Sequence, residues 1–291
     1  MELTSATTKK NSITQRGSPP SALNPQEELV KLWAWVSSAL AFVSFLLVLA
    51  TLLTPLRLPG KSGWPEAVLV LTTALATLAS LARQLPGQNV LLAGAIIGVI
   101  GGILHSVGAA TAIPFGPFNY TNSAGPQIFG VLAWPIPALW IIAILNSRGV
   151  ARLILRPWRK IRTYGFWLIG ITTVLTVLFD AALEPFATRV KHFWIWQPTK
   201  FPFAWHGAPL VNFLGWLVTA SLILAFATPA LINKQPRQTR SRPDFHPLVM
   251  WLSALVLFAV GAAAHQLWTA TAFCVLTGAA VTVFAIRGAK W

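Results

Sequence analysis

Tyr164-Gly-Phe-Trp-Leu-Ile-Gly-Ile-Thr-Thr-Val-Leu-Thr-Val-Leu-Phe-Asp180-Ala-Ala-Leu-Glu184-Pro185 is an apolar run with two carboxyl groups near one end. Its length suits a bilayer, which takes about 20 helical residues to cross. Asp180 and Glu184 are four residues apart, so a helix sets them on one face, and the same step adds Thr172, Thr176 and Thr188 to a polar stripe. The chain has only seven acidic residues, and two of them lie here. Ionisable groups inside hydrocarbon are expensive and are functional candidates by default. Two carboxyl groups one turn apart, out of water and at a helix C-terminus, oppose each other's ionisation, so one of them is expected to hold a proton. Asp180 lies ~6 Å inside the helix end at 1.5 Å per residue, where it could act as a general acid on a lipid-dissolved substrate. The structural alternative is an interhelical hydrogen bond that only fixes packing.

Composition carries the membrane reading to the whole chain. Hydrophobic residues make up 55%, charged residues 10%, and the mean hydropathy is +0.64. Soluble domains carry about a quarter charged residues. Eight runs are long enough to span: 32–54, 64–84, 89–113, 128–146, 164–185, 209–232, 247–265 and 268–287. The last two nearly touch, so a seven-span chain with one long hairpin is the alternative. The expected fold is an all-α, polytopic integral membrane bundle, with residues 30–291 as a single transmembrane domain. Residues 1–29 are polar and lack an apolar core, so they read as a disordered tail, and the first span as an uncleaved signal-anchor.

The formal charge of +15 is read by location. Of the 22 lysines and arginines, all but Arg57, Lys61, Arg189, Lys191 and Lys200 fall on one side of an eight-span chain. By the positive-inside rule that side is cytoplasmic and holds both termini. The segment Arg152–Lys160 alternates cations with apolar anchors and suits anionic membrane lipids rather than nucleic acid. Cys274 stands alone, which excludes an internal disulfide and a multi-cysteine metal site.

The other side carries two aromatic segments. One contains Phe115, Phe118, Asn119 and Tyr120; the other runs from His192 through Trp194 and Trp196 to His206 and Pro209. Belts of Trp and Tyr at membrane boundaries are ordinary, but the density here is high, and both segments fall on the side where the Asp180 helix ends. His105 in the third span lies beside a face of small residues at four-residue steps: Gly94, Gly98, Gly102, Ser106 and Ala110. Asn212 opens the sixth span and needs a polar partner in hydrocarbon. Pro135 and Pro137 are expected to distort the fourth span. No two histidines share a metal-ligand spacing and there is no nucleotide-binding signature, so neither metal nor cofactor is expected.

Several of these residues occur together in a known pattern. His105-Ser-Val-Gly108, Ile113-Pro114-Phe115-Gly116, Phe118, Tyr120-Thr121, Gly125-Pro126, Ile128 and Gly130-Val131 come first. Trp134-Pro135 and Trp140 follow, then Asp180, Glu184-Pro185, Ala187, Trp194 and Trp196, and finally Gly207, Pro209, Asn212-Phe213 and Gly215-Trp216. In this order, over 105–216, the chain resembles the membrane carotenoid biosynthesis family, which includes hydratases of bisanhydrobacterioruberin and γ-carotene-type substrates. The resemblance implies hydration of a terminal isopropylidene C=C on a lipid-soluble carotenoid, alongside other carotenoid enzymes. Asp180 or Glu184 would be the acid, with the partner carboxylate positioning water. Tyr120, Asn119 and Asn212 would orient that water, and Phe115, Phe118, Trp134, Trp194, Trp196 and Trp216 would form the aromatic wall. His105 joins the catalytic group, although many relatives are expected to carry an acidic residue there. Two other classes compete. A proton-coupled transporter would place its carboxylates nearer mid-bilayer, and a carotenoid- or quinone-binding scaffold would need no acid pair.

Overall fold

The computed structural model describes residues 25–56, 58–59, 63–199, 203–232 and 243–291. In chain order the elements are α1 (Pro25–Leu53), α2 (Trp64–Ala82), α3 (Gly87–Thr111), β1 (Phe118–Tyr120), β2 (Gln127–Ile128), β3 (Leu132–Ala133) and α4 (Ile136–Ile154). They continue with α5 (Tyr164–Pro185), β4 (Trp194–Trp196), β5 (Ala204–Trp205), β6 (Ala208–Pro209), α6 (Leu210–Ala227), α7 (His246–Ala264) and α8 (Trp268–Ala289). Among the described residues, eight helices are long and apolar enough to cross a membrane. A short turn at His265–Leu267 separates α7 from α8, so the last two apolar runs form two such helices.

Burial identifies the hub. In α4, 72% of the most apolar window is inside the protein, against 22% for α1 and α8, so α4 is central and those two are peripheral. It packs against α2, α3, α5, α7 and α8. The outward faces of α1, α3 and α5 expose Trp35, Phe42, Leu91, Ile103 and Phe166, as lipid-facing helices do.

Three expectations change. The fourth helix is displaced from 128–146 to Ile136–Ile154, because Pro135 caps it and Pro137 sits in its first turn. There the missing N–H costs nothing, so these prolines start the helix instead of bending it. The residues before them form the β2–β3 hairpin. The helix therefore takes in Arg148, which is buried and donates to the Leu231 carbonyl at 3.0 Å. The close-packing face of α3 is broader than one row of four-residue steps: Gly94 and Gly102 are buried as expected and Gly101, His105 and Gly108 join them, whereas Ser106 is half-buried and Ala110 exposed. Finally, α1 begins at Pro25 with Glu27 and Glu28 in its first turn, where the helix dipole favours acids. Helix thus replaces the last residues assigned to the tail. The rest of that tail, 1–24, lies outside the described residues, as do the basic residues at 57, 61, 200 and 233–242 used for the orientation.

One end of the bundle is closed by non-helical chain. β1 pairs antiparallel with β4, Tyr120 opposite Trp194 and Phe118 opposite Trp196. Thr121 fastens the pair through its backbone N–H to Phe193 O at 2.9 Å and its hydroxyl to His192 O. Gly63 lies at φ 85° against this cap, where a Cβ would stand 2.0 Å from Ser123 O, so the position tolerates only glycine. Lys191 and Glu66 form an ion pair that ties the end of α5 to the start of α2.

Candidate active site

The end of α5 is built around Pro185. Proline has no N–H, so the Ala181 carbonyl one turn back loses its helical partner. The Trp205 indole N–H supplies the replacement at 2.8 Å and pins the β5–β6 loop to the helix. A π-helical turn, Phe186–Val190, carries the chain on toward β4. Trp194 and Trp196 are thereby folded back over Glu184.

Asp180 and Glu184 are fully buried on the face predicted for them, 0% and 1% exposed. Thr172, Thr176 and Thr188 share that stripe, but their hydroxyls donate to carbonyls of their own helix. Asn212 of α6 bridges the two acids, its Nδ2 donating to Asp180 Oδ2 at 2.8 Å and to Glu184 Oε1 at 3.2 Å. Glu184 Oε2 accepts two more bonds, from Trp196 Nε1 at 2.9 Å and Trp194 Nε1 at 3.3 Å. The two carboxyl groups are therefore unlike. Glu184 has three donors, the environment that supports a carboxylate anion out of water. Asp180 has one, and its Oδ1 is buried with no protein partner.

Around the pair lies a continuous aromatic wall. The pleat of β1 and β4 turns Phe118, Tyr120, Trp194 and Trp196 to one face. Ring centroids are 5.3 Å apart for Phe118–Trp196 and 5.2 Å for Phe118–Tyr120. The wall continues to His105, whose ring is 6.2 Å from Phe118, 4.3 Å from Phe115 and 6.0 Å from Trp216. Trp216 stacks on Trp140 at 4.1 Å. Trp140 donates its indole N–H to His105 Nδ1 at 3.1 Å, which leaves the proton of a neutral ring on Nε2. Glycines make room for these rings. A Cβ on Gly101 would fall 2.4 Å from Trp140, and one on Gly108 or Gly215 would fall 2.6 or 2.7 Å from Phe115.

The Tyr120 hydroxyl is buried without a protein partner. Burial, and then the neighbouring Glu184 charge, push the phenol above its ordinary range, so it remains a proton donor at physiological pH. Two buried polar atoms, Tyr120 Oη and Asp180 Oδ1, are thus left for something other than protein.

Comparison with known proteins places the chain in a family. The family described as "Carotenoid biosynthesis protein" matches residues 64–281, which takes in α2 through most of α8. The chain belongs to the carotenoid biosynthesis protein family. It is also 30% identical, over 119 residues, to the bisanhydrobacterioruberin hydratase of Haloarcula japonica. That stretch is 41% of this chain and 38% of the relative. No solved structure matches the chain.

In this carotenoid biosynthesis protein, ten of the twelve residues singled out from sequence adjoin one another: His105, Phe115, Phe118, Tyr120, Asp180, Glu184, Trp194, Trp196, Asn212 and Trp216. Two stand apart. Asn119 alternates with its neighbours in β1 and is exposed on the other face. Trp134 lies in the approach to α4 and packs its indole over Gly125. His105 hydrogen-bonds Trp140 rather than either acid, which places it in the wall. His192 and His206 bond to Thr188 O and Thr269 Oγ1. Trp140 and Trp205 also belong to the site and were not singled out. In sequence, Trp140 is a position of the family pattern without an assigned role, whereas Trp205 answers a carbonyl that Pro185 could have foretold.

A cavity of about 180 Å³ opens on the opposite side of Trp194, among α1, α2, α4, α5 and α7. Phe45, Val70, Leu139, Leu183, Phe258 and Trp194 line it, and neither carboxyl group reaches its wall. Trp194 therefore faces an apolar cavity while its N–H holds Glu184.

Proposed function

We propose that the protein hydrates a terminal isopropylidene C=C of an acyclic or monocyclic carotenoid by acid–base catalysis. The observation that carries this reading is the asymmetry of the buried pair: a carboxyl group with a free oxygen beside a carboxylate held by three donors. Asp180 is the acid. It gives its proton to the CH carbon of the double bond, leaving a tertiary cation on the dimethyl-substituted carbon. Water adds there, and Glu184 takes the proton that water releases. Protons balance, the substrate gains one water, and proton exchange through bulk solvent resets the pair.

The other groups act by position. Tyr120 Oη orients the water, and Asn212 keeps the two carboxyl groups in register. The faces of Trp196, Phe118 and Trp216 stabilise the cation through their ring electrons, worth about 2 kcal/mol or more each when water is excluded. The polyene lies along the apolar cavity, and its end passes Trp194 to reach the acids. The named activity of the haloarchaeal relative supports the reaction type, and the family supports the substrate class. The positive-inside pattern puts this end of the bundle outside the cytoplasm, with both termini cytoplasmic.

A transporter is disfavoured because both acids sit near one end of α5, sealed by β1 and β4. A pigment-binding scaffold needs no acid–base pair. The test is pigment analysis in a host that makes carotenoids with a free isopropylidene end. Appearance of a product heavier by one water, dependent on this protein, supports hydration. Folded protein in the membrane with an unchanged pigment profile across several such substrates overturns it.

A further inference from the structure

At the end of the bundle opposite the carboxyl pair, a second cavity of about 340 Å³ is lined by Arg83, Arg148, Arg152, Arg156 and Arg159. One carboxylate, Asp244, shares the wall, and it is engaged by Gln84 Nε2 and the His246 N–H. Among the described residues, no other acidic side chain lines the cavity. The arginines whose bonds face inward meet neutral acceptors. Arg83 donates to Ser80 Oγ at 2.7 Å, Arg148 to Leu231 O at 3.0 Å and Arg152 to Gln84 Oε1 at 3.3 Å. A guanidinium has five N–H donors, so most of theirs remain to be used.

Helix capping accounts for part of this charge. Arg83 caps α2 and Arg152 lies in the last turn of α4, where carbonyl ends favour cations. It does not account for Arg148, buried one turn deeper, or for Arg156 and Arg159 beyond the helix end. The starts of α5 and α7 also meet the cavity at Tyr164 and at His246-Pro247, and helix starts add positive potential. His246 presents a buried Nδ1 with no protein partner. Arg83, Arg148 and Arg152, whose bonds go to neutral acceptors, repel each other around one small polar space unless an anion joins them. Planar, multidentate N–H donors suit phosphate oxygens best.

We propose that this cavity is a binding site for a phosphate group, either the headgroup phosphate of an anionic phospholipid or a soluble diphosphate. The site is independent of the hydration reading. The test uses the full chain, stripped of lipid in a neutral detergent, with the thermal midpoint followed during titration. One arm compares phosphatidylglycerol with phosphatidylcholine of the same acyl chains. The other compares sodium pyrophosphate with sodium chloride at equal ionic strength. A saturable rise with phosphatidylglycerol alone assigns a lipid headgroup, and a rise with pyrophosphate alone assigns a soluble ligand. A rise with both shows that the phosphate itself is recognised.

Replacing Arg152→Gln and Arg159→Gln together, which removes one neutral hydrogen bond and one exposed side chain, should weaken the response about tenfold or more. Lys160→Gln with Arg162→Gln, both exposed and off the cavity wall, should leave it unchanged. Absence of a saturable rise in both arms overturns the site, as does equal weakening by the two double variants. Asp180→Asn should respond as wild type does, which separates this result from the fate of the hydration reading.

Discussion

Replacing Trp196→Phe keeps an aromatic ring but removes the indole N–H together with one of the two fused rings. The ring stays against Phe118, but the N–H that donates to Glu184 Oε2 at 2.9 Å is lost. A hydrogen bond to a charged acceptor contributes about 1.5–3 kcal/mol, which corresponds to roughly tenfold to a hundredfold or slightly more in an equilibrium or a rate. Glu184 retains Trp194 at 3.3 Å and Asn212 at 3.2 Å, both longer, so Trp196 is the strongest of the three donors and the lower half of that range applies. The loss should fall on conversion rather than on folding, because an unsupported Glu184 can take up a proton and remain buried. Trp194→Phe should cost less, in keeping with its longer bond. The assay is the rate of hydrated carotenoid formation in membranes, normalised to the amount of folded protein. Wild-type conversion by Trp196→Phe, or a larger loss from Trp194→Phe, would refute the assignment of Glu184 as the supported base.

Tyr120→Phe should lower conversion by about tenfold through loss of one water-orienting donor, with little change in the thermal midpoint because the hydroxyl has no protein partner. Burial keeps this phenol protonated, so the ratio of variant to wild-type rates should be flat from neutral to mildly alkaline pH; a ratio that returns to unity on the alkaline side would contradict that. Gly215→Ala places a Cβ 2.7 Å from the Phe115 ring and 2.8 Å from Pro114 O, and should destabilise the fold by about 1–3 kcal/mol, read as a lower unfolding midpoint in detergent. Reporter fusions should place both termini in the cytoplasm and the β1–β4 cap on the far side; the opposite result would reverse the proposed orientation.

The spans were legible because length and hydropathy alone specify a membrane helix. The phase of α4 was not. Its upstream residues from Ile128 onward are equally apolar, and only the rule that proline favours a helix start separates Ile136–Ile154 from 128–146. Asp180, Glu184 and Asn212 were legible for the reason that makes them costly: polar groups in hydrocarbon must find one another. The direction of the Trp194 and Trp196 indoles was hidden, since it depends on β1 meeting β4 across a long sequence separation. In α3, steps of four from Gly94 find the buried Gly94 and Gly102, but not Gly101 and Gly108, which packing by Trp140 and Phe115 adds. Asn119 was misjudged through the two-residue period of a strand that no local pattern announces.

The most direct test of the acid–base account is conversion in D₂O followed by mass spectrometry of the product. Protonation by Asp180 predicts one deuterium bound to the carbon beside the new tertiary carbinol, retained after exchange back into ordinary water, and no such product from Asp180→Asn. A product that gains oxygen without retained deuterium, or undiminished labelled product from Asp180→Asn, would contradict it.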